Sequence, residues 1–307
     1  MRDIRELERF APRRGANERK AREFIMGRLD RIGVHYVLQQ FSSHLPKYGK
    51  FGLLADGEPV DCMPTALVSG KITEKNLISS MAVSGRYYEE PNINFNPYCD
   101  SISLATHYRA PSLAIRRRDV QRIIGADSID GTVTVKRDPH RCANIIAGNR
   151  INPKSVIVVH YDSVLGGADD DASGVAMLLR LAEDGAGRDN MLVFSGCEEL
   201  SFDAPIYWGK GYRVLENRFR PILSRARKII AVDMIGSGMP GIIKNPKHKL
   251  AAFPLSDKAL FDKAVVVGAL GKEWFSQYHS NDDNVSHINP HFLESGLDLV
   301  SRMIAPR

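Results

Sequence analysis

The chain has 307 residues, 43% of them hydrophobic and 25% charged, which is material for a full-sized core and excludes a disordered or fibrous chain. Its 42 Lys and Arg outnumber 36 Asp and Glu by enough for a net charge of +6. These cations are scattered, the densest run being 116–118, so the surplus reads as a solvated face and no nucleic-acid partner is expected.

The opening "MRDIRELERFAPRRGANERK" is charged from its second residue and carries no apolar leader. No apolar run approaches the length of a membrane span, so the expectation is a cytoplasmic protein with no membrane partner. From 17 to 32, Ala21, Phe24, Ile25, Leu29 and Ile32 fall on one helical face, and Gly33 ends the helix. "VHYVLQQF" (34–41) then reads as a strand. Between 45 and 128 the pattern loosens, with Pro, Gly, Tyr and Asn frequent, as in an inserted small domain or lid. Alternation resumes at 131–138, and strands fit 144–147, 155–159, 191–195 and 228–232. Helices fit 172–184 and 290–304, the latter after Asn289 with Pro290 in its first turn. Strands separated by helices predict an α/β fold, with a mixed, mostly parallel sheet covered by helices on both faces. The expected domains are a core of 1–44 and 129–307 and an insertion of 45–128.

In such sheets, sites form beyond the carboxyl ends of the strands. His160 directly follows the strand 155–159, "CEE" follows 191–195 after one glycine, and Asp233 directly follows 228–232. The loop "HYDSVLGGADDDASG" adds Asp162, Asp169, Asp170 and Asp171. Crowded carboxylates repel unless a cation, arginines or water offset them. Taken singly each piece has an ordinary reading, an Asp before "ASG" being a helix cap and a Glu pair suiting a helix dipole. Their recurrence at successive strand ends points instead to a hydrolytic site of two metals, in which carboxylates bridge and imidazoles select zinc-like ions. The four cysteines, Cys62, Cys99, Cys142 and Cys197, form no CxxC and read as reduced thiols. Cys197 sits beside acidic residues, which disfavours a nucleophilic role.

In combination, "HYDS", "GADDDASG", "EE", "VDMIG" and "YHS" resemble the co-catalytic zinc aminopeptidases and the glutamate carboxypeptidases, with glutaminyl cyclases and receptor ectodomains as more distant kin. That resemblance covers about 140–304 and the N-terminal helix. It implies two zinc ions, with cobalt or manganese as substitutes. Asp170 would bridge them, Glu199 and His279 would complete one, and His160 and Asp233 the other. Glu198 would be the general base, Asp162 would orient His160, and Tyr278 would stabilise the oxyanion. The implied function is an exopeptidase acting on peptides, an aminopeptidase first. The alternatives are a carboxypeptidase, for which Lys210 and Arg213 could face a substrate carboxylate, and a non-catalytic binding module. A homo-oligomer is compatible with these readings. The chain departs from the family pattern at "LSFDAPIYW", where Asp203 and Pro205 follow the Glu pair, and at Cys197. The segment 45–128 resembles the family's protease-associated insertion only in "APSLAIRRRDVQRII".

Overall fold

The computed structural model describes residues 1–81 and 89–305. In chain order its elements begin with α1 (Arg2–Glu8), α2 (Ala16–Arg31) and a 20-residue strand, β1 (Tyr36–Ala55). Short strands follow: β2 (Glu58–Val60), β3 (Cys62–Pro64), β4 (Gly70–Ile72), β5 (Leu77–Ser79), β6 (Asn92–Phe95) and β7 (Ser112–Ile115). Next come α3 (Val120–Gly125), the long β8 (Ile129–Gly148), β9 (Ser155–His160), α4 (Ala172–Glu183) and β10 (Met191–Ser195). The chain ends with α5 (Lys210–Arg225), β11 (Lys228–Val232), β12 (Pro240–Ile242), α6 (Pro246–Ala252), α7 (Lys258–Lys263), β13 (Ala264–Ala269) and α8 (Pro290–Ile304).

Two compact units result: Met1–Ser43, His140–Trp274 and Asn284–Arg307 form the first, His44–Pro139 and Phe275–Asp283 the second. In the first, the sheet runs β12-β13-β11-β9-β10-β8-β1. β13, β11, β9 and β10 are parallel, while β12 and β8 pair antiparallel to them. The fold class is therefore the α/β arrangement expected, with a mixed and mostly parallel sheet. β9 is buried at every position because helices cover both its faces. Its side chains alternate: Ile157 and Val159 enter a core with Ile25, Leu178 and Val300. Val156 and Val158 enter a second core with Tyr212, Leu215 and Leu260. α4, buried along most of its length, supplies Val175, Leu178 and Leu179 to the first core.

In the second unit, β2 pairs antiparallel with the end of β1 and β4 with the start of β8. A separate four-stranded sheet has the order β3-β7-β6-β5. Leu53, Ile72, Ile93, Leu113, Ile115 and Val133 form its own core. The expected insertion, 45–128, falls within this unit, which also takes in the first part of β8 and 275–283. Among the described residues, no helix is long and apolar enough to cross a membrane.

Candidate metal centre

β9, β10 and β11 run parallel and end at the same edge, so the residues that follow them meet there. His160 closes β9, with its Nε2 3.1 Å from Asp170 Oδ1 and 3.7 Å from Asp233 Oδ1. One donor atom from each of these three residues lies within 4.8 Å of the others. His160 and Asp170 are buried, whereas Asp233 is partly open.

The fate of the three consecutive aspartates explains why the middle one faces this group. Asp169 accepts hydrogen bonds from Gly236 N (2.6 Å) and from the Ser237 hydroxyl. Asp171 caps α4, accepting from Gly174 N at 2.9 Å, and its second oxygen takes His160 N at 3.3 Å. A Cβ at Gly174 would stand 2.4 Å from the Asp171 carboxylate, so only glycine admits this cap. The outer two are thus committed to the loop, and Asp170 is turned toward His160. Burial raises the Asp169 carboxyl to about 6 and pushes Asp171 well above the ordinary range.

Asp162 accepts Glu198 N at 3.0 Å on one oxygen and Glu199 N at 2.9 Å on the other. This bidentate grip holds the turn after β10. His160 Nδ1 stands 3.7 Å from Asp162 Oδ1, an ion-pair separation longer than a hydrogen bond. Asp162 thus faces the His160 ring while taking hydrogen bonds from the backbone of the Glu pair. Glu198 is 6% exposed, and its Oε1 is buried without a hydrogen-bond partner. Burial, despite the nearby His160, pushes its carboxyl well up, and Glu199 and Asp162 add to the rise.

His279 and Tyr278 belong to the second unit. His279 Nδ1 donates to Leu104 O at 3.1 Å, which puts the ring proton on Nδ1 and the lone pair on Nε2. Its ring stacks on Tyr278 with centroids 3.8 Å apart, and the Ser103 hydroxyl donates to Tyr278 O at 2.7 Å. The two candidate substrate-facing cations are engaged locally. Arg213 donates to Trp208 O and Ile206 O, and Lys210 Nζ lies 3.8 Å from Asp203.

Sequence reasoning missed Arg13, which is fully buried. Its Nε donates to Tyr161 O at 2.7 Å, and its Nη2 donates to Gly167 O at 2.8 Å and Asp170 O at 3.3 Å. It staples both ends of the His160–Asp170 loop from the N-terminal segment. Nothing in the local sequence signals this, because the partners are backbone carbonyls far along the chain.

The donor set suits zinc-class cations. Imidazole and carboxylate oxygens converge in a buried group whose like charges need an offset, and Glu198 retains an orphaned oxygen. The family model for peptidase family M28 matches residues 144–261, the segment carrying His160, Asp162, Asp170, Glu198, Glu199 and Asp233. Over that segment the chain is similar to this peptidase family. No curated protein sequence matches the chain. Among solved structures it is similar to BSAP, a zinc aminopeptidase from Bacillus subtilis, at 18% identity and a TM-score of 0.70, covering 99% of this chain and 94% of that one. An aminopeptidase from Aneurinibacillus sp. strain AM-1 is similar at 19% identity and a TM-score of 0.63, covering 100% and 95%. The glutaminyl cyclase of Porphyromonas gingivalis shares the fold at 14% identity and a TM-score of 0.53, covering 98% and 94%.

Proposed function

We propose that the protein is a zinc-dependent exopeptidase, an aminopeptidase by preference, and that its centre holds two cations. The observation that carries this reading is the gathering of buried His160 and Asp170 with the partly open Asp233, and a buried Glu198 oxygen without a hydrogen-bond partner. His160 and Asp233 would hold one cation, Glu199 and His279 the other, with Asp170 shared. When bound, such a pair supplies Lewis acidity that makes a water acidic and offsets charge on the attacked carbonyl oxygen.

The chain's own groups do the remaining work. Glu198 accepts the proton from the attacking water and returns it to the nitrogen of the leaving amine. Asp162, through the amides of Glu198 and Glu199, keeps the base and a ligand in fixed positions. Tyr278 is proposed to donate its phenol hydrogen to the developing oxyanion.

The local engagement of Arg213 and Lys210 weighs against a carboxypeptidase, which needs a cation directed at the substrate carboxylate. The sequence keeps both proposed ligand sets, His160 and Asp233 as well as Glu199 and His279, which weighs against the single-zinc glutaminyl cyclase reading. The deciding experiment incubates the zinc-loaded protein with a defined peptide mixture and reads products by mass spectrometry, with Glu198→Gln as control. Stepwise loss from the N-terminus is the expected outcome. Trimming from the C-terminus, or cyclisation of N-terminal glutamine, would move the protein to the corresponding branch. Unchanged peptides would refute the exopeptidase reading.

A further inference from the structure

A second group of metal-type donors lies in the first unit, on β8, and contains sulfur. β8 and β10 pair antiparallel with Phe194 opposite Ile145. That register, carried three residues on, sets Cys197 across from Cys142, and directly opposed residues share a face of the sheet. His140 and Cys142 are two apart on β8 and so share that face as well. Cys197 follows the strand with φ 54°, and its thiol donates to Leu200 O at 3.7 Å.

Glu18, in the first turn of α2, reaches the same spot from outside the sheet. Its Oε2 is 2.6 Å from His140 Nε2, and one donor atom each of Glu18, His140 and Cys142 lies within 4.8 Å of the others. Glu18, Cys142 and Cys197 are each 1% exposed. The neighbouring glycine makes this possible. A Cβ at Gly196 would stand 2.6 Å from both Glu18 Oε1 and the Tyr161 hydroxyl.

We propose that Glu18, His140 and Cys142 form a separate site for a thiophilic divalent cation of the zinc class. A thiolate, an imidazole and a carboxylate are three donors of the kind zinc takes, while magnesium and calcium prefer all-oxygen sites. Entry of the cation replaces the Glu18–His140 hydrogen bond with two coordinate bonds. The Cys142 thiol proton leaves to solvent as one metal–sulfur bond forms, and the proton of the Glu18–His140 hydrogen bond passes to solvent or to His140 Nδ1. Burial, which holds the Glu18 carboxyl up in the metal-free protein, then works for retention, because the ion is shut off from water. The bound ion would tie the start of α2 to strand β8. This assignment does not depend on the strand-end centre, whose proposed ligands include no sulfur.

Cobalt(II) distinguishes the two sites, since only thiolate ligation gives an intense near-ultraviolet charge-transfer band. The full chain, freed of metal and kept reduced with a phosphine, is titrated with cobalt(II) and then with zinc(II). The expected result is a thiolate band that saturates at one cobalt per chain and is bleached by zinc. Cys142→Ser should abolish the band while the weak visible absorption of oxygen- and nitrogen-ligated cobalt persists. His140→Gln, at the outer and more accessible edge of the cluster, should shift and weaken it in a chain whose circular dichroism is unchanged. Cobalt uptake with no thiolate band would overturn the proposal. So would a band that survives Cys142→Ser, or peptide mapping that finds Cys142 joined to Cys197 as a disulfide in the protein as purified.

Discussion

Glu198 and Asp170 differ by what surrounds their oxygens, and that difference separates their expected mutant behaviour. Glu198 has a buried oxygen with no hydrogen-bond partner, whereas Asp170 faces His160 at 3.1 Å. Glu198→Gln keeps the shape and the backbone bonds to Asp162, so zinc content should hold while turnover falls by roughly 10²–10⁴-fold. Asp170→Asn removes a charge from the ligand group, so zinc content and turnover should fall together, as elemental analysis beside a peptidase assay would show. A Glu198→Gln protein that loses zinc but keeps its rate would reverse the two roles. Arg13→Met is a test of stability. It leaves the carbonyls of Tyr161, Gly167 and Asp170 without their shared donor, so destabilisation of at least about 2 kcal/mol is expected from urea denaturation.

At the scale of elements, legibility followed how locally each one was encoded. α8 is read to the residue because Asn289 caps it, accepting from His291 N at 3.0 Å, and Pro290 opens it. Asn289→Ala should accordingly cost about 1 kcal/mol in thermal or urea melts. Leu178→Ala, in the core face of α4, should cost about 2–5 kcal/mol by the same measurement. β9, β10 and β11 were legible as apolar runs ending in acidic or imidazole residues, and the site followed from them. α5 was not read: Pro221 and its many charged residues mask a buried stripe of Tyr212, Leu215 and Leu223. β1 and β8 were recovered only in part, because Pro46 and Pro139 lie within them and proline ordinarily marks a strand's end or edge. Arg13 and the Glu18 cluster stayed hidden for a different reason. Their partners are distant in sequence, so no local pattern announces them.

For the molecule as a whole, the strand-end centre sets stability against charge. Asp162, Asp169, Asp170 and Asp171 are all buried, together with Glu198 and Glu199, and the sheet cannot move them apart without breaking the strands they follow. A cation that binds the folded chain and not the unfolded one stabilises it by mass action, by about 4 kcal/mol at a thousandfold excess over its Kd. In a chain of this size that amounts to a shift of several degrees in the melting temperature. Differential scanning calorimetry with excess zinc and with a chelator should therefore give well-separated melting temperatures, and zinc added back should restore the higher one. The β8 cluster would contribute to the same shift, so the contributions are separated by variant. Asp170→Asn should remove most of the zinc response of the strand-end centre, Cys142→Ser should remove that of the sulfur cluster, and the double variant should melt at one temperature in zinc and chelator alike. If the unaltered chain already melts at one temperature in both, the buried carboxylates are held by the protein's own hydrogen bonds and neither cation is needed to keep it folded.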